Sequence, residues 1–376
     1  MAEACITVPQ PMDSGAVRGI ITALRGRYGF LDALPIGRSA VGREIMGLVL
    51  GNGRDRVLMA AAFHGQEWLT ALVTLRLCEE LCRGIALDVR LDGWELRRAL
   101  AGRCLTLVPM VNPDGADIAL HGSATAGGCA AMVARLGGDI PGRWQANARG
   151  VDINHNFNAG WAALQLQERA AGIGGPSPRQ WGGPAPESEP ETRAMTELCR
   201  RCRFRHVIAL HSQGEEIYWD YGPRTPERSR LMAEILASAS GYTVARPSGL
   251  ASAGGFKDWF IEETGRPGFT IELGRGENPL PLTDFEPLYQ KAREMLLLAL
   301  MMEPPQKVDA FPLAKGTVPS PPALSPPAAF SRGGAEPRGM RWIIPYNPRP
   351  NKPFGGRTGQ GRKERRPRAS ACPPLA

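Results

Sequence analysis

Two histidines and two glutamates in this sequence could assemble a hydrolytic metal site. His64 and Glu67 are three residues apart, His211 follows after a long gap, and Glu272 comes later still. Zinc in a hydrolytic site takes three nitrogen or oxygen ligands from the protein and keeps its fourth position for water. We predict that His64, Glu67 and His211 bind one zinc ion. Glu272 is then the candidate base that accepts the proton of the attacking water.

The segment before His64 is predicted to position this site. Residues 56–63, which are apolar from Val57 onward, are typical of a buried strand, and a helix is predicted to begin near Trp68. A His-x-x-Glu pair at such a strand end can place both side chains on one ion. Taken alone, the pair is more often a histidine at a helix start beside a solvated glutamate.

Hydrophobic periodicity predicts alternating strands and helices along the chain. The predicted strands are 44–50, 56–63, 103–111, 206–211, 217–221 and 269–273, and the predicted helices are 68–83, 189–201, 226–240, 255–264 and 285–301. Such alternation favours an α/β sheet with helices on both faces and a site at the strand ends.

Several blocks of sequence resemble the zinc metallocarboxypeptidases, a family that includes pancreatic carboxypeptidases and bacterial peptidoglycan peptidases. Besides the segments that contain His64, His211 and Glu272, the blocks are 111–115 (VNPDG), 150–157 (GVDINHNF) and 188–192 (SEPET). The resemblance implies a three-layer α/β/α sandwich around a mixed twisted sheet. We expect an N-terminal extension at 1–37, a catalytic domain at 38–302 and a tail at 303–376.

The family's oxyanion-stabilising arginine has no direct counterpart in this chain. Many members carry that arginine five residues before the position of Gly150, where this sequence has Gln145. Gln145 could donate a neutral hydrogen bond to the oxyanion, and Arg143 or Arg149 could turn in instead. The sequence does not decide between them, so Gln145 and Arg149 are both catalytic candidates.

Four residues are candidates for substrate binding by position. Asn154 matches the asparagine of the family's Asn-Arg pair, which grips the substrate's terminal carboxylate, but His155 replaces the arginine and its bidentate fork. Lys257 stands where the side-chain pocket is defined and would favour an acidic group. Ser212 follows the last zinc ligand and would line the pocket. The alternative for His155 is a packing role, for Lys257 a solvated side chain, and for Ser212 a role in a turn.

These departures favour one bacterial branch of the family, the γ-D-glutamyl-L-diamino acid endopeptidases and murein peptide amidases. The predicted reaction cleaves the bond between γ-linked D-glutamate and diaminopimelate or lysine in cell-wall stem peptides. Asn154 and His155 would bind the main carboxylate of diaminopimelate, and Lys257 its side-chain carboxylate. The alternatives are an ordinary metallocarboxypeptidase, a related deacylase, or a binding protein that has lost catalysis.

Composition separates a globular region from a basic tail. The chain has 376 residues, 43% hydrophobic content and a formal charge of +8. Thirteen Lys and Arg against four Asp and Glu follow residue 302, so the tail carries +9 and the preceding region carries −1. The Pro-, Gly- and Arg-rich tail is predicted to be disordered. A nucleic-acid-binding arm is its alternative role, although we expect no nucleic-acid partner.

The sequence carries no sign of export or membrane insertion. Its first residues lack a basic and apolar signal pattern, and no apolar run is long enough to cross a bilayer. The eight scattered cysteines are typical of reduced thiols rather than of a disulfide framework. We therefore expect a cytoplasmic protein with a peptide substrate and no membrane partner.

Overall fold

The computed structural model describes residues 5–302, and the predicted disordered tail at 303–376 lies outside the described residues. Within this range the central feature is an eight-stranded sheet with the order β1-β2-β6-β3-β7-β10-β8-β9. The strands are β1 (Leu31–Arg38), β2 (Glu44–Leu50), β3 (Asp55–Ala61), β4 (Arg90–Leu91), β5 (Trp94–Glu95), β6 (Arg103–Val108), β7 (His206–His211), β8 (Glu216–Tyr218), β9 (Thr243–Ala245) and β10 (Gly268–Glu272). The short strands β4 and β5 form a separate hairpin.

Ten α-helices accompany the sheet within residues 5–302. They are α1 (Ser14–Arg27), α2 (Leu69–Leu87), α3 (Leu96–Ala99), α4 (Pro113–His121), α5 (Ala130–Arg135), α6 (Trp161–Ala170), α7 (Pro190–Cys202), α8 (Arg228–Ser240), α9 (Phe256–Thr264) and α10 (Phe285–Met301). None of the helices in the described part of the chain has the length and apolar content to span a bilayer.

The centre of the sheet is parallel and its margins are mixed. Strands β6, β3, β7 and β10 run parallel to one another, whereas β2 pairs antiparallel with β6 and β8 pairs antiparallel with β10. Parallel neighbours end at the same edge of the sheet. The residues that follow or end β3, β7 and β10 therefore meet there, as the sequence predicts.

The core lies on both faces of the sheet. Along β3, Val57 and Met59 join a cluster that includes side chains of α2 and α10, whereas Leu58 and Ala60 join a cluster with α7 and α9. Side chains that alternate between two buried faces require a strand that is apolar throughout. This explains the uninterrupted apolar run before His64 and confirms the predicted three-layer α/β/α class.

The N-terminal part belongs to the same domain. Helix α1 contributes Val17, Ile20, Ile21 and Leu24 to the core, and β1 pairs along its length with β2. The spacing of those four side chains is that of one helical face. Helix α1 and strand β1, which lie in the expected N-terminal extension, therefore pack in the same core and sheet as the strands of the expected catalytic domain.

Candidate metal and active site

The three predicted metal ligands lie together. His64 Nδ1 is 2.7 Å from one carboxylate oxygen of Glu67, and His211 Nδ1 is 3.0 Å from the other. One ligand atom from each residue can be chosen so that all three atoms lie within 4.8 Å of one another. The donor set of two imidazoles and a carboxylate is that of catalytic zinc sites. The geometry therefore fits a metal ion, as predicted from spacing and residue type.

The sheet and a short turn position these ligands. His64 follows β3, Glu67 ends the 3₁₀ turn Gly65–Glu67, and His211 is the last residue of β7. A Cβ atom on Gly65 would lie 2.2 Å from the carbonyl oxygen of Gly115, the residue that ends the VNPDG block. The turn must therefore be glycine at this point, because it packs directly on the backbone of α4.

Asp152 holds the ring of His64 from the other side. Its Oδ1 lies 3.1 Å from His64 Nε2, and its Oδ2 accepts a hydrogen bond from the Gln180 amide at 2.9 Å. A carboxylate at Nε2 keeps the proton on that nitrogen and leaves Nδ1 as the metal-binding lone pair. This contact suits Asp152 to orienting the ring of His64.

Replacing Asp152 by Asn should weaken zinc binding roughly ten- to a hundredfold, because the tautomer of His64 is no longer fixed. Competition with a zinc chelator measures the affinity. Asp139→Asn is the matched control, since that exposed carboxylate accepts hydrogen bonds from Ser123. Equal zinc affinity in the parent and the Asp152 variant would contradict the role.

The electrostatics of the site favour a cation. Burial opposes a positive charge on His64, but Glu67 and Asp152 outweigh burial and raise the pKa of His64 well above its usual value. Burial likewise opposes ionisation of Glu67, yet His64 and His211 lower the pKa of Glu67 to about 2. An ionised carboxylate between two imidazoles attracts a cation, and a bound metal would displace the proton that His64 otherwise holds.

His211 is held by packing more than by hydrogen bonds. Its ring stacks on Phe63, with 5.2 Å between centroids and 19° between planes. Its Nε2 is buried and has no hydrogen-bond partner among residues 5–302. Apolar stacking therefore replaces, at this ligand, the polar contact that Asp152 supplies to His64.

Glu272, the predicted base, lies beside the ligands at the end of β10. It pairs in register with His211 on β7 and with Glu216 on β8. Burial and the nearby charge of Glu67 raise the pKa of Glu272 well above its usual value. A carboxylate with a raised pKa next to a metal site is suited to accepting and returning a proton.

Asn154 and His155 lie on the α9 side of the metal ligands. The Asn154 Oδ1 accepts a hydrogen bond from the Phe256 amide at 3.0 Å, which leaves its Nδ2 hydrogens without a partner in the described chain. His155 Nδ1 lies 2.9 Å from Oε1 of Glu168. Burial lowers the pKa of His155, but Asp152 and Glu168 raise it, and the net change is upward.

Glu168 is a site residue that the sequence analysis missed. It is fully buried on α6 and also accepts hydrogen bonds from Gln165 Nε2 at 2.6 Å and from the Gly182 amide at 3.1 Å. A buried carboxylate at Nδ1 keeps a proton on that nitrogen and, with Asp152, favours the doubly protonated ring, in which Nε2 of His155 is also a hydrogen-bond donor. No short-range motif links Glu168 to His155, so a single sequence carries little signal for this contact.

Lys257 is enclosed by the protein's own groups. It is 3% exposed, donates from Nζ to the Asp220 carbonyl at 2.7 Å, and forms an ion pair with Asp258. The partner that a buried cation needs is therefore supplied from within the chain. This arrangement differs from the expectation that Lys257 offers its charge to a substrate, and we assign it no binding role.

A polar cavity of about 780 Å³ lies next to the ligands, since Gln66 and Ser212 line it. Its lining includes Gln66, Arg143, Gln145, Arg179 and Ser212. Among these, Arg179 Nε donates to Gln145 Oε1 at 3.2 Å. The sequence analysis did not predict Arg179 as a site residue. Its contact with Gln145 depends on a loop that lies far along the chain.

The remaining two site candidates have protein partners. Arg149 lies with its guanidinium 3.7 Å from Glu189, and it is not among the residues described as lining the cavity. Ser212 donates from Oγ to Asn278 at 2.8 Å while its amide points to Glu67. Ser212 thus lines the cavity and also ties two loops together. Of the two catalytic candidates, Gln145 lines the cavity, whereas Arg149 lies beside Glu189.

A buried carboxylate supports the loop that carries Asp152. Glu191 is fully buried beside Asn147, whose Nδ2 donates to Glu189 and Glu191 at 2.7 and 3.3 Å. Burial, together with the charges of Asp114 and Glu189, raises the pKa of Glu191 from 4.5 to about 8. The SEPET block therefore holds a protonated carboxyl group in the fold at neutral pH.

This group should make stability depend on pH. The pKa of Glu191 is higher in the folded protein than in the unfolded chain. Its contribution to the free energy of unfolding is therefore fully present below about pH 4.5 and is lost as the pH rises to about 8. Glu191→Gln should therefore be more stable than the parent at about pH 9, by on the order of a few kcal/mol, and similar at about pH 4. Urea unfolding at both pH values measures the difference. The same pH dependence in both proteins would rule out this assignment.

Comparison with known proteins identifies the class. The chain matches the zinc carboxypeptidase family over residues 20–295 and belongs to that family. It is therefore a zinc-type metallopeptidase, and its His64, Glu67 and His211 side chains form a group that could hold the metal.

Two proteins are similar to this chain in sequence, and one solved structure is similar to it in fold. The chain is 34% identical over 295 residues to γ-D-glutamyl-L-diamino acid endopeptidase 1 of Lysinibacillus sphaericus, covering 78% of this chain and 73% of the relative. It is 35% identical over 292 residues to the uncharacterized protein YqgT of Bacillus subtilis, with 77% of each chain covered. The structure of bovine thrombin-activatable fibrinolysis inhibitor superposes with a TM-score of 0.62 at 20% identity, covering 78% of this chain and 97% of that one. This last likeness concerns the fold alone.

Proposed function

We propose that this protein hydrolyses the bond between γ-linked D-glutamate and diaminopimelate or lysine in peptides derived from the bacterial cell wall, with one zinc ion on His64, Glu67 and His211. The observation that carries the chemistry is the convergence of these ligands at one sheet edge with Glu272 beside them. The similarity to the L. sphaericus endopeptidase supports the substrate class.

The roles of the residues follow from their places in the site. Zinc, when bound, polarises the scissile carbonyl and lowers the pKa of water. Glu272 accepts the proton of the attacking water and then delivers it to the leaving amine. Gln145 has its Oε1 engaged by Arg179, so its Nε2 is the group that donates to the oxygen on which negative charge develops.

The leaving amino acid is bound through its main-chain carboxylate. The free donors on the α9 side of the ligands are Asn154 Nδ2 and, in the protonated ring that Glu168 favours, His155 Nε2. These two donors bind a carboxylate without the bidentate fork of the family's Asn-Arg pair. We assign no residue to the recognition of the leaving amino acid's side chain, because Lys257 is already paired with Asp258.

Glu168→Gln should raise KM roughly tenfold and change kcat little, because the neutral amide no longer favours the protonated ring in which His155 Nε2 is a donor. The measurement compares a substrate that has a free terminal carboxylate with the same peptide amidated at that carboxylate. The amidated peptide is the control, since it cannot use the His155 contact and should be cleaved alike by parent and variant. Equal losses on both peptides would indicate a purely structural role for Glu168.

A substrate panel tests the proposal as a whole. The zinc-loaded protein is offered L-Ala-γ-D-Glu-diaminopimelate, a plain peptide with a C-terminal L-amino acid, and an N-acyl amino acid, and kcat/KM is measured for each. We expect the γ-D-glutamyl peptide to be preferred by roughly a hundredfold or more. Preference for the plain peptide would favour the ordinary carboxypeptidase, and preference for the N-acyl amino acid would favour a deacylase.

A further inference from the structure

The site has two sides, and a bound peptide must use both. Asn154 and His155 lie on the α9 side of the metal ligands, and neither belongs to the described lining of the polar cavity. Gln66 and Ser212, which are adjacent to the ligands Glu67 and His211, do line that cavity. A substrate whose leaving amino acid is held by Asn154 and His155 therefore places its acyl residue toward the cavity.

The acyl residue of the proposed substrate carries a distinctive charge. In a γ-linked D-glutamyl peptide the side-chain carboxyl forms the scissile bond, so the α-carboxylate of the same residue stays free. An ordinary α-linked peptide has no such carboxylate at this position unless its side chain supplies one. A receptor for an anion on the acyl side would therefore distinguish γ-linked glutamate from a common peptide.

The cavity contains cations that are not neutralised by neighbours. Arg179 uses its Nε for Gln145, and neither its terminal nitrogens nor the guanidinium of Arg143 has an ion-pair partner among residues 5–302. Glu277 is the acidic residue in the described lining, so two cations face one anion. A guanidinium presents two parallel N–H groups that match a carboxylate.

We propose that Arg179, assisted by Arg143, binds the free α-carboxylate of the γ-linked D-glutamate and thereby determines the acyl-side specificity of the enzyme. Arg179 has the leading role because its contact with Gln145 brings it close to the group that binds the developing oxyanion. This inference rests on the proposed function, since it presupposes cleavage after γ-D-glutamate.

Two substrates that differ in one group test the inference. Both have the sequence L-Ala-γ-D-Glu-diaminopimelate, but in one the α-carboxylate of the D-glutamate is converted to a carboxamide. The parent should prefer the free carboxylate by roughly ten- to a hundredfold in kcat/KM. Arg179→Gln should reduce this ratio to near one and should lower the rate on both substrates by a further common factor, because Arg179 also orients Gln145. Arg143→Gln should reduce the ratio partly.

The controls separate the local role from general charge and from folding. Arg169→Gln removes an exposed arginine of α6 that is not in the described cavity lining, and its ratio should match the parent. Arg179→Lys keeps the charge and loses the fork, so its ratio should be intermediate. Zinc content and the circular dichroism spectrum confirm that each variant is folded.

The outcomes are distinguishable. If the parent cleaves neither substrate, the proposed function fails and this inference fails with it. If the parent cleaves both substrates equally well, the function stands and the receptor is refuted. If the preference persists after Arg179 and Arg143 are both replaced by Gln, the carboxylate is read elsewhere and the assignment to these arginines is overturned.

Discussion

Glu272→Gln is expected to lower kcat by roughly a hundred- to ten-thousandfold while the protein still binds one zinc ion. Glutamine has the shape of the carboxylate but cannot accept the proton of water or return it to the leaving amine. Zinc is retained because Glu272 is not among the three ligand residues. Steady-state kinetics together with metal analysis of the same preparation give both quantities.

The matched control for this experiment lies on the neighbouring strand. Glu216 pairs in register with Glu272, and its carboxylate accepts a hydrogen bond from Tyr218 at 2.6 Å. Glu216→Gln removes a nearby charge without touching the predicted base, so its activity should stay of the same order as that of the parent. A Glu272 variant with the activity of the parent would exclude this residue as the base.

His211→Ala is expected to abolish both stoichiometric zinc binding and activity. The substitution removes one of three ligands from a buried site and leaves Glu67 with a single imidazole neighbour. Zinc should also raise the melting temperature of the parent, because a ligand that binds the folded state stabilises it. The variant should show no such increase, which thermal unfolding with and without added zinc measures.

His121 provides the comparison for this loss. It is an exposed histidine at the end of α4, and its Nε2 lies 2.8 Å from Asp13. His121→Ala should keep zinc, activity and the thermal response of the parent. Full zinc occupancy in the His211 variant would contradict the assignment of the metal site.

The central strands and the residues that could hold a metal can be predicted from sequence because their signals are local. The apolar run of residues 56–63 predicts a strand buried on both faces, and β3 spans Asp55–Ala61. Parallel neighbours must end at one edge, so a histidine and a glutamate at two strand ends are expected to meet. The boundaries of β7 and α10 agree with the prediction at every residue.

Helix α1 was missed although the sequence contains its signal. Val17, Ile20, Ile21 and Leu24 have the spacing of one helical face, and Asp13 caps the helix by accepting from the Ala16 amide at 2.7 Å. The blocks that resemble the family begin only after this helix, with the segment that contains His64, so they carry no signal for α1. The hydrophobic spacing was the more informative observation.

The partners of the polar site residues could not be predicted, because they depend on how distant loops close. Glu168 reaches His155 across thirteen positions, and Arg179 reaches Gln145 across thirty-four. The direction of Arg149 toward Glu189 likewise follows from the path of its loop. Lys257 is different, because its ion-pair partner Asp258 is the next residue. The sequence itself therefore indicates that the charge of Lys257 is paired within the chain.

Product identification in isotopically labelled water tests the central claim most directly. The zinc-loaded parent is incubated with L-Ala-γ-D-Glu-diaminopimelate in water enriched in heavy oxygen, and the products are analysed by mass spectrometry. We predict unlabelled diaminopimelate and L-Ala-D-Glu that carries one heavy oxygen in its new γ-carboxyl group. Recovery of intact substrate under these conditions, or cleavage at the L-Ala bond, would contradict the account.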